Sequence, residues 1–266
     1  MKTNSYMKFF PKKGWVKIKT GIPSKVILDI QNYLRKRLKG IKREMDSWML
    51  SNGLEICSYS EYQKDLEILK KRKLPVDLQH FLKGEFDLKT RLSKNLYKLF
   101  GHKKLINSIQ TLLKTDNAYI HYPPMLRFKF SDSPGSILPP HQDFPYSPHL
   151  KDFITIWLPL VRIDKQVGGL VMYNGSQKLS AAQSTKNKYW SFGIDEKKIK
   201  KFKKEQPLLK IGEALVFPSG FVHGSALQLD KKNMRLSIDF RIFTKKDMTS
   251  KALFDCKRKI VEKKET

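Results

Sequence analysis

The stretch MRLSIDFRIF, residues 234–243, alternates without a break. Met234, Leu236, Ile238, Phe240 and Ile242 form one apolar face, and Arg235, Ser237, Asp239 and Arg241 form the other. A period of two is the signature of a β-strand with one face on a core. The polar face reads either as half-solvated or as the lining of a ligand cavity in a barrel-like sheet. Arg235 and Ser237 lie about 6–7 Å apart along such a strand. An Arg fork beside a hydroxyl suits one end of a dicarboxylate, where charge-assisted bidentate bonds fix orientation.

Working outward, the chain from Asn117 keeps this character. Ala118–Tyr122, Leu126–Phe130, Phe153–Val161, Gly169–Tyr173, Leu208–Ile211, Ala214–Phe217 and Phe221–Leu227 are β-branched or aromatic runs bounded by turn residues. Within Phe153–Val161, Ile154, Ile156, Leu158 and Leu160 make a core face, while Thr155 and Trp157 point the other way. Asp132–Pro140 reads as a Pro/Ser/Gly loop, and Ser180–Gln206 as an exposed insert with a short helix. The first 116 residues instead carry helical stripes. The longest begins behind Pro23 and Ser24 and runs Val26, Ile30, Leu34, Leu38, Ile41, Met45 and Trp48. Others run Tyr62–Leu69 behind Ser60, Leu88–Leu99 up to Gly101, and Ile106–Leu113. Helices first and short strands second predict an α+β fold, with a β-sandwich, barrel or jelly roll in the second part. The expected organisation is a helical region at 1–116, a β core at 117–245 with an insert at 180–206, and a basic tail at 246–266.

Composition bounds the function. The 266 residues carry 53 Lys+Arg against 25 Asp+Glu, a net charge of +28. This surplus is smeared along the chain, +15 over 1–116, +10 over 117–245 and +3 over 246–266, and only ten of the basic residues are Arg. A diffuse Lys-rich surface bears on non-specific attraction of anions more than on fold or chemistry. No apolar run approaches a membrane span, and the N-terminal stretch lacks the apolar core of a signal peptide, so a cytoplasmic protein is expected. Two distant cysteines, Cys57 and Cys256, exclude a disulfide scaffold and a cysteine zinc site.

His141-Gln142-Asp143 places an imidazole and a carboxylate at i and i+2, on one face of an extended segment, where both can bind one metal ion. A second imidazole would complete a two-His, one-carboxylate facial set with open positions, the arrangement of non-heme Fe(II) chemistry. From the residues alone His80, His102, His121, His149 and His223 are all candidates for it.

In order and spacing these elements resemble the phytanoyl-CoA dioxygenase-like branch of the Fe(II)/2-oxoglutarate-dependent oxygenases over residues 117–243. LPPHQDFPY (138–146) resembles the family's iron motif with its apolar-Pro and aromatic flanks. Trp157, in TIWLPL, is similar to the family's Trp near the co-substrate, and GGLVMYNGSQK (168–178) to the segment leading into a P-G-[ST]-H turn. Here that turn reads Asn174-Gly175-Ser176-Gln177, a departure from the pattern. His223-Gly224-Ser225 resembles the distal iron ligand with its following hydroxyl, and Arg235 with Ser237 the pair holding the far carboxylate of 2-oxoglutarate.

The resemblance implies a double-stranded β-helix with helices packed on it. It implies Fe(II) on His141, Asp143 and His223, with 2-oxoglutarate and O2 as co-substrates. Arg235, Ser237, Trp157, Ser225 and Thr155 would then lie about the co-substrate, and Arg127 and Arg241 near the substrate or the other carboxylate. Asp143 in the carboxylate position points to hydroxylation, desaturation or ring chemistry rather than halogenation. The expected substrate is a small molecule of a biosynthetic pathway, anionic in view of the charge. The alternative is a nucleic-acid-directed oxygenase, because the Arg235–Arg241 spacing is similar to the paired arginines of alkylation-repair dioxygenases.

Overall fold

The computed structural model describes residues 7–131, 137–179, 184–185, 192–231, 233–246, 249 and 251–263. Eight helices occur among them: α1 (Ser24–Ser51), α2 (Tyr59–Lys64), α3 (Leu66–Lys71), α4 (Val76–Leu82), α5 (Leu88–Arg91), α6 (Lys94–Phe100), α7 (Lys103–Leu113) and α8 (Glu196–Ile199). In α1 the predicted stripe is the buried one, with Ile30, Leu34, Leu38, Ile41 and Met45 facing inward. Pro23 is its N-cap, with extended backbone that the ring favours. The Tyr62–Leu69 stripe is two helices rather than one. Ser58, not Ser60, starts α2 through a reciprocal capping box with Glu61, and Asp65 separates α2 from α3. The Leu88–Leu99 stripe is also divided, because the Ser93 side chain caps a new helix by accepting from Leu96 N–H. At Ser93 a side chain that competes for backbone N–H groups interrupts an apolar period that continues across it; the Asp65 side chain makes no such bond.

The strands are β1 (Val16–Lys19), β2 (Tyr119–His121), β3 (Met125–Lys129), β4 (Ile154–Pro159), β5 (Leu170–Tyr173), β6 (Ser184–Thr185), β7 (Gly193–Ile194), β8 (Lys204–Glu205), β9 (Glu213–Pro218), β10 (His223–Ser225), β11 (Arg235–Phe243), β12 (Leu253–Asp255) and β13 (Ile260–Glu262). All pairings are antiparallel. One sheet has the order β1-β9-β4-β11-β2-β12-β13, with β3 also paired to β11; a smaller one has the order β10-β5-β8, and β6 pairs β7. The expected strand at Leu208–Ile211 is reduced to one bridge, Leu209 to Ile163.

Two departures concern organisation. Val16–Lys19, in the region read as helical, pairs β9 and joins the main sheet. The stretch read as a basic tail supplies β12 and β13, and Leu253 and Phe254 are fully buried. Lysines surround these short apolar runs, so charge density concealed them. In the expected insert, α8 and β8 are present; residues 180–183 and 186–191, like 132–136 of the Asp132–Pro140 loop, lie outside the described residues.

The main sheet has two different faces. Ile154, Ile156 and Leu158 of β4, with Leu236, Ile238, Phe240 and Ile242 of β11, share one core with α1, α4, α6 and α7. Fully burying each such side chain contributes about 1.5–3 kcal/mol. On the other face, Trp157 packs with Leu170 and Met172 of the smaller sheet and with Leu215 and Phe217. The polar side chains of β11 therefore turn toward the space between the two sheets, away from the helices. Among the described residues no helix is long and apolar enough to cross a membrane.

Candidate metal centre

The two imidazoles are brought together by backbone pairing. His141 and His223 form an antiparallel bridge at the edge of β10, with His141 N–H donating to the His223 carbonyl at 2.8 Å and the reverse bond at 3.1 Å. Residues facing each other in such a bridge project side chains to the same side, and the ring centroids are 4.3 Å apart. Each ring is fixed by a hydrogen bond from Nδ1, to the Pro139 carbonyl for His141 (2.8 Å) and the Phe221 carbonyl for His223 (3.2 Å). A carbonyl can only accept, so Nδ1 carries the proton and the Nε2 lone pair is free to ligate. Both Nε2 atoms face Asp143 Oδ1, at 3.7 Å from His141 and 3.9 Å from His223. The candidate ligand atoms of His141, Asp143 and His223 all lie within 4.8 Å of one another, and all three residues are buried.

Asp143 is held from two sides. Its N–H donates to the Ser219 carbonyl at 2.9 Å, and its Oδ2 accepts from Thr155 Oγ1 at 2.5 Å. Burial opposes ionisation of this carboxyl, but His223, His141 and Arg241 outweigh it and hold its pKa well below the usual carboxylate range. Burial and the neighbouring His141 push His223 down to about 4 against the pull of Asp143, so its imidazole is neutral at pH 7. One carboxylate and two imidazoles with free Nε2 atoms are a donor set that transition metals take.

The register of β11 against β4 sets the remaining polar groups around this centre. Arg241 faces Thr155, Asp239 faces Trp157, and Ser237 faces Pro159. A cavity of about 60 Å³ is lined by the triad together with Thr155, Trp157, Ser225, Arg235, Ser237 and Arg127. Arg235 is buried, with one guanidinium nitrogen donating to the Gly169 carbonyl at 2.8 Å and the group lying 5.9 Å from the centre of the Trp157 ring. Burial lowers its pKa only to about 10, which leaves it cationic at pH 7.

Arg241 is anchored differently: it donates to Ser147 Oγ, lies over the Phe153 ring at 5.6 Å, and comes within 4.0 Å of Asp143 Oδ1. Arg127 is committed to a half-buried network, donating to Asp239 at 3.1 Å and to Glu85 at 2.8 Å. At the altered turn, Ser176 is buried and its Oγ accepts from Val222 N–H at 2.9 Å, one residue before His223. The Gln177 amide donates outward, to the Lys12 carbonyl.

Three groups near the cavity are not singled out by the sequence. Asp239 was visible on the polar face of β11, since it shares the phase of Arg235 and Ser237. Lys129 follows from β3, where it pairs in register with Arg235; its buried ammonium donates to the Ala226 carbonyl, and burial lowers its pKa to about 7. Glu85 had no local signal. It reaches the centre because residues 84–86 add a bridge to the edge of β3, Glu85 opposite Arg127.

A buried donor set of two imidazoles and a carboxylate, beside cationic side chains between antiparallel sheets, defines a candidate mononuclear metal protein of the α+β class. The chain belongs to the phytanoyl-CoA dioxygenase (PhyH) family, whose profile matches residues 14–229. A curated relative, the 1-deoxypentalenic acid 11-beta-hydroxylase of Streptomyces arenae, is 29% identical over a match covering 42% of this chain and 43% of that protein. The match thus spans less than half the length of that relative.

Among solved structures, EctD from S. alaskensis with 2-oxoglutarate and 5-hydroxyectoine is similar at a TM-score of 0.56, with 14% identity over 92% of this chain and 77% of the other. The epimerase SnoN in complex with Fe3+, alpha ketoglutarate and nogalamycin RO gives 0.52, with 13% identity over 87% of this chain and 79% of the other. At these identities the likeness is one of fold.

Proposed function

We propose that this chain is a non-heme Fe(II)- and 2-oxoglutarate-dependent oxygenase acting on a small molecule of a biosynthetic pathway. The carrying observation is the His141–His223 bridge, which aims two Nε2 lone pairs at one carboxylate oxygen while backbone carbonyls hold both Nδ1 protons. His141, Asp143 and His223 would hold the metal. When bound, Fe(II) and 2-oxoglutarate supply an O2-dependent oxidation of the substrate coupled to release of succinate and CO2.

The chain's own residues bind, orient and shield. Arg235 and Ser237 take the far carboxylate of the co-substrate, as a fork and a hydroxyl on one strand face. Trp157 forms the wall beneath Arg235, and Ser225 lines the same side. Thr155 orients Asp143 through its hydroxyl, and Arg241 compensates the charge of that carboxylate from behind. Burial of the triad excludes bulk water from the reacting region.

The supporting architecture is a double-stranded β-helix, with the two antiparallel sheets facing each other across the site. Residues 117–245 are its catalytic core, the helices of 1–116 pack on the outer face, and strands from 16–19 and 253–262 extend it. Names among the similar proteins, a hydroxylase and structures carrying 2-oxoglutarate or alpha ketoglutarate, support the reading. Nothing favours the nucleic-acid alternative, since both arginines of its pair are engaged within the protein, Arg235 with the Gly169 carbonyl and Arg241 with Ser147.

The test is succinate formation from 2-oxoglutarate with Fe(II) and ascorbate. The parent protein turns over slowly without its substrate, and His141→Ala abolishes the activity together with stoichiometric Fe(II) binding. Undiminished turnover in His141→Ala would overturn the site assignment.

A further inference from the structure

Two cationic side chains cross from the main sheet to the smaller one, and the proposed reaction uses only one of them. Arg235 of β11 and Lys129 of β3 are partners in register. Arg235 donates to the Gly169 carbonyl at 2.8 Å. Lys129 donates to the Ala226 carbonyl, also at 2.8 Å, and is 2% exposed. The two acceptors belong to one rung of the smaller sheet. Ala226 N–H donates to that same Gly169 carbonyl at 3.0 Å, directly beyond the last pair of the β10–β5 ladder, Ser225 with Leu170. A continuous chain of hydrogen bonds therefore runs from Lys129 through Ala226 and Gly169 to Arg235.

The two acceptors have little freedom to move separately. Gly168 has φ +64°, and a Cβ there would lie 2.3 Å from the Leu227 carbonyl oxygen. A Cβ on Gly169 would lie 2.6 Å from Ile163 Cγ2 and 3.5 Å from the Trp157 ring. Segments pressed this closely pass a displacement of Ala226 on to Gly169 rather than absorb it. Among the described residues no carboxylate pairs with Lys129, and its charged neighbour is Arg235. Its polar contact is therefore a backbone carbonyl and not an ion pair. Burial and Arg235 lower its pKa to about 7; the ammonium and the neutral amine both donate, so the contact persists on either side of that value.

We infer that Lys129 is a positioning residue for Arg235, a strut between the sheets that holds Ala226 and, through it, the Gly169 carbonyl that fixes one nitrogen of the Arg235 fork. The inference rests on the oxygenase reading for calling the ligand of that fork the far carboxylate of 2-oxoglutarate, while the strut itself follows from the hydrogen bonds. A planar fork pairs well with a carboxylate only when its orientation is held, so loosening the carbonyl behind it weakens the ligand in front of it.

Lys129→Met keeps the reach and the apolar stem of the side chain and deletes the donor. Binding of 2-oxoglutarate and of pyruvate to the Fe(II)-loaded full chain is followed by calorimetry under argon. Pyruvate is also a 2-oxo acid but lacks the far carboxylate, so its binding does not pass through Arg235. In Lys129→Met the Kd of 2-oxoglutarate rises about tenfold, the loss expected of one misplaced charge-assisted contact. The affinities for Fe(II) and pyruvate stay within about twofold of the parent, a split that a general folding defect does not produce. Introduced into Arg235→Met, the same change adds no further loss for 2-oxoglutarate, because its route to the ligand is already cut. Without any ligand, NMR-detected amide exchange at Ala226 accelerates about tenfold in Lys129→Met relative to the amides of β4.

An unchanged 2-oxoglutarate Kd, or losses of equal size for 2-oxoglutarate, pyruvate and Fe(II), would overturn the inference. Should Lys129→Met not fold, Lys129→Gln, with a shorter polar side chain, carries the same comparison; failure of both to fold would make Lys129 a folding determinant and overturn the inference as well. Absence of 2-oxoglutarate binding by the Fe(II)-loaded parent would instead overturn the oxygenase reading, and amide exchange at Ala226 then decides the strut by itself.

Discussion

Replacing Glu85 by Gln removes the charge through which the helical region grips the floor of the site. Glu85 accepts from Arg127 at 2.8 Å and from His80 at 3.0 Å, and its side chain is only 12% exposed. Burial opposes its ionisation, but Arg127 and His80 prevail and lower its pKa to about 2, from 4.5 in a free side chain. A depression of this size contributes about 3 kcal/mol to stability, at about 1.4 kcal/mol per pH unit. The folded-state pKa lies below the unfolded one, so the contribution is complete above about pH 4.5 and is lost as pH falls toward about 2.

Glu85→Gln is therefore expected to be less stable than the parent by about 3 kcal/mol at pH 7, and by about 1 kcal/mol at pH 3. Urea denaturation of both proteins across that range measures the gap. In a chain of this length it corresponds to a fall in Tm of roughly 6–12 °C near neutrality. Comparing the pair at each pH cancels the titration of every other carboxylate. A gap below about 1 kcal/mol at pH 7, or one independent of pH, would refute a buried ionised Glu85.

Two further substitutions probe the supporting structure. Thr155→Val deletes the hydroxyl that donates to Asp143 Oδ2 while keeping the shape of the side chain; Fe(II) affinity, followed by anaerobic titration, should fall about 10–100-fold, and an unchanged affinity would remove Thr155 from the site. Gly84→Ala combines a backbone φ of +73° with a Cβ that would sit 2.7 Å from the Phe128 carbonyl oxygen, whereas Gly53, at φ +67°, has nothing within 4 Å. Thermal melts should show Gly84→Ala costing about 1–3 kcal/mol and more than Gly53→Ala; equal costs would mean that the contact with β3 is not tight.

How much was legible follows from how far each signal travels along the chain. The inward face of β11, the core face of β4 and the stripe of α1 are local periodicities, and the structure keeps all three. His141 and Asp143 were legible as a pair because two residues in extended backbone share a side. His223 was one of five candidates until the family resemblance selected it, because nothing in its own neighbourhood reports that residue 141 lies across a bridge. Ser93 as a helix start was missed, since apolar spacing continues through it while hydrogen bonding does not; Ser58 was missed because Ser60, nearer the stripe, offers the same side chain. The strands of residues 253–262 were hidden by the lysines around them.

The amino-acid sequence alone determined the class of fold, the character of each face and the residues able to carry metal chemistry, because periodicity and side-chain type act over a few residues. Only the tertiary structure decided which groups are already taken. Arg127, open to substrate or co-substrate on the page, is held between Glu85 and Asp239, 42 and 112 residues away. Asp239 Oδ1 has no hydrogen-bond partner among the described residues. Whether a charged side chain is spent or free depends on partners that pairing across strands brings within about 3 Å, and no local pattern encodes that sum.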